Sequence, residues 1–453
     1  MMQYLSSKEL VFRNRRFDLI YKILYLEHIN SSKETFDYYK KMYLKSIEVF
    51  NGFHEKNPPK NSSEDFINAF NATYNNISRN GFNPAYAIPI SRENQLYDGA
   101  HRLSIAYLLD IDVPVRIIES DSLSTKRSVP IEYAFNYQFF KRRGMSEELA
   151  DIGALEYVKR NEKAHIVQLS PIASCRYDSK VEEILNKYGF VYYKKELRLN
   201  YNALVRIKQI NYGEEDWAGN SANGYKGLRK HAQKSIGYGK TRVFVFVCDS
   251  LDEARNAKNE VRGLFNYGNH PIHINDTHKE AVALANIFFN RNAVDLVQST
   301  SYLYYERIVA LSNLLKEYGG KYRIDLDSIC VSSSSILSIY GLRDAADVDC
   351  ISFNNTIVKY KDISSHSSEK EYYPFSFERI INEHLHHFVF NNVKFASLRI
   401  VKDLKKSRRE YPKDFKDLLL CVKKDVHKTK YYLSTILFYA PKSHIIKLLN
   451  KTN

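Results

Sequence analysis

The sequence predicts a multidomain protein of the α/β (α+β) class, and three observations lead there. A chain of 453 residues accommodates about three domains of ordinary size. Hydrophobic residues make up 44% and charged residues 26%, a balance that lets each domain build its own core. Short β-branched and aromatic runs alternate with longer stretches whose apolar residues recur every three or four positions, the periods of strand and helix. Turn-rich segments divide the chain into residues 1–125, 126–300 and 301–453, and no internal repeat of fixed period is present.

The first part opens with an amphipathic helix predicted over 17–26 and a second over 38–50, followed by a Pro- and Ser-rich turn at 57–63. A strand over 85–90 leads to Asp98-Gly99-Ala100-His101-Arg102 at the mouth of an apolar helix, and a strand follows over 113–118. Gly99 lets backbone come close to an anion, the amides of a helix start point at it, and Arg102 offers a planar fork. A Gly-x-His-Arg turn in this setting resembles the superfamily shared by partition protein B, sulfiredoxin and the free serine kinases. The resemblance implies a sulfiredoxin-like domain over 1–125 in which Asp98, Gly99, His101 and Arg102 bind nucleotide phosphate. Ala100 stands where sulfiredoxin carries its cysteine, which removes peroxiredoxin repair as an activity. Without a ligand the same residues would form a plain turn, with Asp98 as its cap.

In the middle part, strands are predicted over 165–169, 191–199 and 243–248, with helices over 180–187 and 250–260. The stretch at 211–240, Gly- and Asn-rich from Gly219 onward and carrying Lys226, Arg229, Lys230 and Lys234, reads as an exposed loop, with the only tryptophan, Trp217, just ahead of its Gly-rich part. Arg262-Gly263-Leu264-Phe265 and then Ile272-His273-Ile274-Asn275-Asp276 are similar to the nucleoside diphosphate kinases. That likeness implies a ferredoxin-like domain over 126–300, with His273 as phosphoacceptor, Arg262 as phosphate clamp, and Asn275 and Asp276 shaping the turn. Ser170-Pro171-Ile172 replaces the kinases' Lys-Pro-Asp, and Asn275 replaces their serine. His270, His273 and His278 follow no zinc spacing and have no cysteine near them.

The last part carries the most informative residues. Asp347 and Asp349 are two apart on a predicted strand, so both carboxylates project from one face. Such a pair repels unless a cation sits between the two groups, and hard oxygen ligands suit Mg²⁺ or Mn²⁺ carrying a nucleotide's phosphates. Upstream, the run Ser332-Ser333-Ser334-Ser335 lies between a short strand and an apolar helix, a junction whose amides favour anions. Strand, small pair, helix, Arg343, then Asp-x-Asp resembles the polymerase-β-type nucleotidyltransferase fold, most closely the minimal enzymes related to abortive-infection toxins. Lys394 is similar to that family's helical lysine, and the stretch from Arg408 to Asp417 to its closing Arg–Lys–Asp–x–x–Asp segment. The resemblance implies a nucleotidyltransferase-like domain over 301–453. Asp347 and Asp349 would be catalytic and hold Mg²⁺ (or Mn²⁺), and Ser332, Ser333, Arg343 and Lys394 would bind the phosphates. Ser332 and Ser333 occupy the positions of the family's glycines. As a surface pair with no metal, the two aspartates would instead be salt-bridge partners of Arg343.

No run reaches the roughly 18 apolar residues of a membrane helix, and the first ten residues carry no basic-then-apolar signal pattern. Of five scattered cysteines, four sit in or beside apolar segments and read as reduced core residues, so the expected location is cytoplasmic. The net charge of +15 favours anionic partners. A nucleotide or sugar-phosphate donor accounts for it as well as nucleic acid does. The function expected is a metal-dependent transferase moving a phosphoryl, nucleotidyl or glycosyl group from such a donor to a small or glycan acceptor. The whole-chain combination resembles proteins of surface-polysaccharide gene clusters, which implies polysaccharide biosynthesis. The second expectation is a non-catalytic nucleotide- or nucleic-acid-binding protein with a degenerate nucleotidyltransferase domain.

Overall fold

The computed structural model of the chain describes residues 3–118, 134–353 and 357–424. Two units are present: Met1–Ala164 with Leu185–Tyr193 and Val245–Ser250, and His165–Ile184 with Lys194–Phe244 and Leu251–Asn453. Helix and sheet are mixed along the chain, as the α/β class requires. No helix among the described residues is long and apolar enough to cross a membrane.

The first unit begins with β1 (Gln3–Leu5), α1 (Ser7–Phe12) and α2 (Leu19–Glu27). Helices α3 (Lys33–Asn51) and α4 (Ser63–Asn80) flank a small hairpin of β2 (Glu55–Lys56) and β3 (Pro59–Lys60). Then come β4 (Ile88–Ile90), α5 (Ala100–Leu108), β5 (Val113–Ile117), α6 (Tyr137–Arg142) and α7 (Glu147–Arg160). The sheet order is β1-β5-β4, with β5 antiparallel to β1 and parallel to β4. Serine caps mark the helix starts: Ser32 accepts from the Thr35 amide, and Ser62 and Asp65 form a reciprocal capping box.

Helix α2 corrects one expectation. Every residue from Leu19 to Leu26 is buried, so α2 is a central helix with no polar face and not an amphipathic one. Its charged member, Lys22, is paired with Asp18, which also accepts from Arg16 Nε at 2.7 Å and Nη2 at 3.2 Å. Burial alone would raise the Asp18 carboxyl, but the two cations more than reverse this and hold it well below the carboxylate range. Tyr25, Tyr43, Phe66, Phe70 and Ile105 pack together as the adjoining core.

Four strands and their helices follow in the order β6 (Ala164–Leu169), α8 (Asp178–Tyr188), β7 (Phe190–Leu197), α9 (Tyr201–Tyr212), α10 (Lys226–Lys234), β8 (Thr241–Val247), α11 (Leu251–Gly263) and β9 (Ile272–Ile274). The strands lie in the order β7-β8-β6-β9, and β6 pairs antiparallel with β9 through Val167↔Ile274 and Leu169↔Ile272. The stretch expected as an exposed loop at 211–240 is largely folded, with α10 at its centre. Gly227 is needed there because a Cβ would stand 1.8 Å from the Trp217 carbonyl. Glycine in this stretch serves close packing, where composition alone suggested an open loop.

Helices α12 (His278–Phe288), α13 (Arg291–Ser299) and α14 (Tyr305–Tyr322) lead into a five-stranded sheet. It is built from β10 (Ile329–Val331), α15 (Ser333–Ile339), β11 (Val348–Ser352), β12 (Ile363–Ser365), α16 (Phe377–Asn382), β13 (His387–Phe390), β14 (Val393–Ala396) and α17 (Leu398–Arg408), with a further helix over 413–424. The order is β12-β11-β10-β14-β13, with β10 antiparallel to β11 and parallel to β14. Ile329, Val331, Leu337, Ile351, Phe388, Phe395 and Leu404 are among the side chains that fill its core.

Candidate functional site

The central strand β10 ends at Ser332, whose amide donates to the Asp349 carbonyl at 2.8 Å. The next residue, Ser333, has φ of +54°, a left-handed conformation that an L-residue adopts at a cost and glycine adopts freely. The backbone at Ser333 thus has a conformation that suits glycine. All four serines, Ser332 to Ser335, are buried. Ser335 Oγ donates to the Asp347 carbonyl at 3.1 Å, and Ser334 Oγ lies 3.5 Å from the Asp347 carboxylate. The serine turn and the acidic strand are therefore stitched to each other.

Asp347 immediately precedes β11 and is exposed, whereas Asp349 within β11 is 8% exposed. Among the described residues no lysine or arginine forms an ion pair with either carboxylate. The nearest titratable neighbour of Asp349 is His366, with Nε2 at 3.9 Å from Oδ2. His366 is steadied from behind: its Nδ1 is 2.8 Å from the Tyr373 hydroxyl, which donates to Ser332 Oγ at 2.9 Å. Burial lowers the His366 imidazole, against the opposing pull of Asp349, and burial raises the Tyr373 hydroxyl. The serine turn, Tyr373, His366 and Asp349 form one chain of polar contacts through a buried region. Sequence reasoning missed His366 and Tyr373. A lone histidine in a serine-rich stretch gave no signal, because only the pairing of the short strand β12 with β11 (Asp349↔Ser364) brings it there.

Arg343 does not pair with the two aspartates. It grips Asp417 through Nε at 2.6 Å and Nη2 at 3.1 Å, a bidentate fork on a buried carboxylate. Lys405 on α17, 2% exposed, lies 3.1 Å from Asp414 and 3.0 Å from Asp417. Arg408 donates to both oxygens of Asp414 at 3.0 and 2.7 Å. Burial pushes the Asp414 carboxyl up, but Arg408 and Lys405 outweigh it and hold the group at about 2. Asp417 is lowered in the same way, with Arg343 and Lys405 overcoming its burial. The closing segment is thus a buried cluster of three cations and two carboxylates that fixes the 413–424 helix against the turn carrying Arg343.

Lys394 requires correction. It lies on strand β14, in register with Cys330, and not on a helix. Its ammonium donates to the Asp327 carbonyl at 2.7 Å, at the start of β10 and away from the serine turn that follows the strand. The lysine that a helix carries into the acidic cluster is Lys405. Ser332, Ser333, Asp347 and Asp349 are brought together, Arg343 stands beside them bound to Asp417, and Lys394 is elsewhere.

For the metal, the chemistry of the donor set is the test. Two carboxylates two residues apart, neither within ion-pair distance of a lysine or arginine among the described residues, fit Mg²⁺, which is commonly held by one or two carboxylates together with substrate phosphates and water. Among the described residues no group of three or more His, Cys, Asp or Glu side chains is placed to hold a metal unaided.

The other two motifs have different surroundings. Gly99 caps α5 with φ of +85°, and a Cβ there would press on Ile88 and Arg102. His101 points into the core: its Nε2 is 3.0 Å from the Tyr43 hydroxyl and its ring packs edge-on to Phe70 at 4.5 Å. Burial lowers its imidazole well below the usual value, with Lys22 acting in the same direction. Arg102 donates to the Tyr86 carbonyl and lies 3.5 Å from the exposed Asp98. In the middle block, His273 lies on strand β9 and not in a turn, 4% exposed. Both its nitrogens are engaged, Nδ1 with the Tyr212 hydroxyl and Nε2 with Glu280, each at 2.8 Å. Arg262 on α11 makes only a 3.5 Å contact with Asn259. Asn275 Oδ1 accepts from the Ile166 amide at 2.6 Å, which ties β9 to β6.

Comparison with family models, with curated proteins and with solved structures finds no match.

Proposed function

We propose that the five-stranded domain is a metal-dependent transferase centre that handles a nucleotide or sugar-phosphate donor. The observation that carries this reading is the Asp347–Asp349 pair: two carboxylates two residues apart, beside the buried serine turn, neither in an ion pair with a lysine or arginine among the described residues, with Arg343 acting on both while bound to Asp417. Neighbouring like charges are unfavourable, and a divalent cation brought in with phosphates would relieve them. Bound Mg²⁺ would neutralise phosphate charge as the transferred group leaves its donor. The chain's own residues supply position. His366, held by Tyr373, stands 3.9 Å from the Asp349 carboxylate, and Ser334 and Ser335 fix the segment bearing Asp347. Arg343, Lys405 and Arg408 brace the wall formed by the 413–424 helix. The polymerase-β-type nucleotidyltransferase resemblance supports the same reading and extends it to a phosphoryl, nucleotidyl or glycosyl group passed to a small or glycan acceptor in the cytoplasm.

The β7-β8-β6-β9 order, with its βαβ units, is the order we assign to a ferredoxin-like domain, and the β4–α5–β5 unit with Gly99 to a sulfiredoxin-like one. A second function, non-catalytic nucleotide or nucleic-acid binding, is favoured by one observation. Ser333 places a side chain where close backbone approach to phosphate calls for glycine.

The experiment is a thermal-shift screen of nucleoside triphosphates, nucleotide sugars and phosphoribosyl donors, each with and without Mg²⁺. Stabilisation by a donor only when Mg²⁺ is present supports the transferase reading. Equal stabilisation without the metal supports the binding protein.

A further inference from the structure

Away from the five-stranded domain, the ring of Tyr212 at the end of α9 is surrounded by basic and aromatic side chains. Lys208, one turn earlier on α9, has its ammonium 5.5 Å from the Tyr212 ring centre. Trp217 lies 5.5 Å from that ring, His231 of α10 also 5.5 Å, and His231 in turn meets His270 at 4.5 Å. His273 touches the same ring from the sheet side, with both its nitrogens already satisfied.

Lys208 is the anomaly. It is 2% exposed, and among the described residues it makes no hydrogen bond and no ion pair. A buried ammonium is almost always paired, because its desolvation costs several kcal/mol. Three other buried lysines follow that rule: Lys22 with Asp18, Lys405 with Asp414 and Asp417, and Lys424 with Asp295. Two more polar atoms beside it lack partners: Nδ1 of His231 and Nδ1 of His270 are both buried and unbonded, as are both amide atoms of Asn211 on the next turn of α9. The electrostatics have one sign. Burial lowers Lys208 to about 8 with no carboxylate opposing it, and His270 is lowered by burial and then by Lys234 and Lys208. The nearest acid, Glu280, is committed to His273 and to the Asp276 amide.

We propose that Lys208, His231 and His270 form a binding site for a phosphate group. A phosphate has enough acceptor oxygens, spread over a tetrahedron, to engage the ammonium and an N–H from each imidazole together, and it brings more negative charge to the unpaired ammonium than a carboxylate does. The bearer of the phosphate is inorganic phosphate or a phosphomonoester whose ring stacks on Trp217, which is 46% exposed. This site is separate from the aspartate pair and uses neither His273 nor the metal.

The chain holds a single tryptophan, so its fluorescence reports on this cluster alone. Titration with inorganic phosphate and with AMP at constant ionic strength should give a saturable change. Tighter response to AMP assigns a nucleoside phosphate, and equal response assigns free phosphate. Lys208→Met should weaken the response at least tenfold. Without phosphate its melting temperature should equal or exceed that of the wild type, since an unpaired buried charge is gone. His231→Phe should also weaken the response and serves should Lys208→Met fail to fold, while Asp349→Asn should leave it intact. Absence of a saturable change in the wild type, an equal change with acetate or chloride, or an undiminished response in a folded Lys208→Met protein would each overturn the proposal.

Discussion

At Ser333 the backbone takes φ of +54°, and the side chain carried there is at odds with the conformation. Replacing it by glycine removes the Cβ strain, and Ser333→Gly is expected to raise stability by about 1 kcal/mol, measured as a rise in denaturation midpoint. A fall would mean that the buried hydroxyl holds more than the strain costs. Lys405 is the opposite case, a side chain whose removal strands its partners. Lys405→Met leaves Asp414 and Asp417 buried together with less compensation and should cost about 3–5 kcal/mol by chemical denaturation. The same carboxylates set an acid limit. Their folded values are depressed, that of Asp414 from 3.8 to about 2, so the stability they contribute is complete above the unfolded value and is lost as pH falls through the folded one. Unfolding of the five-stranded domain should therefore become steeply pH-dependent between about pH 4 and pH 2, and the dependence should weaken in Asp414→Asn.

Among the elements, the 413–424 helix is held by side chains more than by burial, since Phe415 and Leu419 on it remain exposed. Arg343→Ala removes the fork on Asp417 and should cost about 1.5–3 kcal/mol, the range for hydrogen bonds to charged groups. Hydrogen exchange should rise over 413–424 and stay unchanged over β10 and β11. Uniformly faster exchange across the sheet would instead make Arg343 part of the core. The strand–serine turn–helix and the Asp-x-Asp strand were legible because their signals are local: a small-residue run, an apolar run and a two-residue spacing. Arg343 and the Arg408–Asp417 segment were legible as residues and not as partners, because their pairing depends on a long-range fold. Lys394 was misplaced for a similar reason, as Val393-Lys394-Phe395-Ala396 has the alternation of a strand and helical Lys405 lies eleven residues on. His366 could not be found from the sequence, since it reaches Asp349 only through the pairing of two strands. Helix α2 reads as amphipathic in sequence because Lys22 looks exposed until Asp18 is seen to pair with it.

For the molecule as a whole, the net charge of +15 separates the two functional readings. A nucleic-acid-binding protein should lose affinity for oligonucleotides steeply as salt rises, because each neutralised phosphate releases counterions. A transferase acting on a small donor should show a shallow salt dependence and a requirement for Mg²⁺. The central claim is that Asp347 and Asp349 face a metal, and Asp349→Asn tests it most directly, because the substitution keeps the shape of a buried side chain and removes its charge. Melting temperature should be measured for wild type and mutant, with and without Mg²⁺ and the donor identified by the screen. Mg²⁺-dependent stabilisation should be lost in Asp349→Asn while stability without ligand stays level or rises, as repulsion within the pair is relieved. Unchanged Mg²⁺ dependence, or loss of stability without ligand, would contradict it.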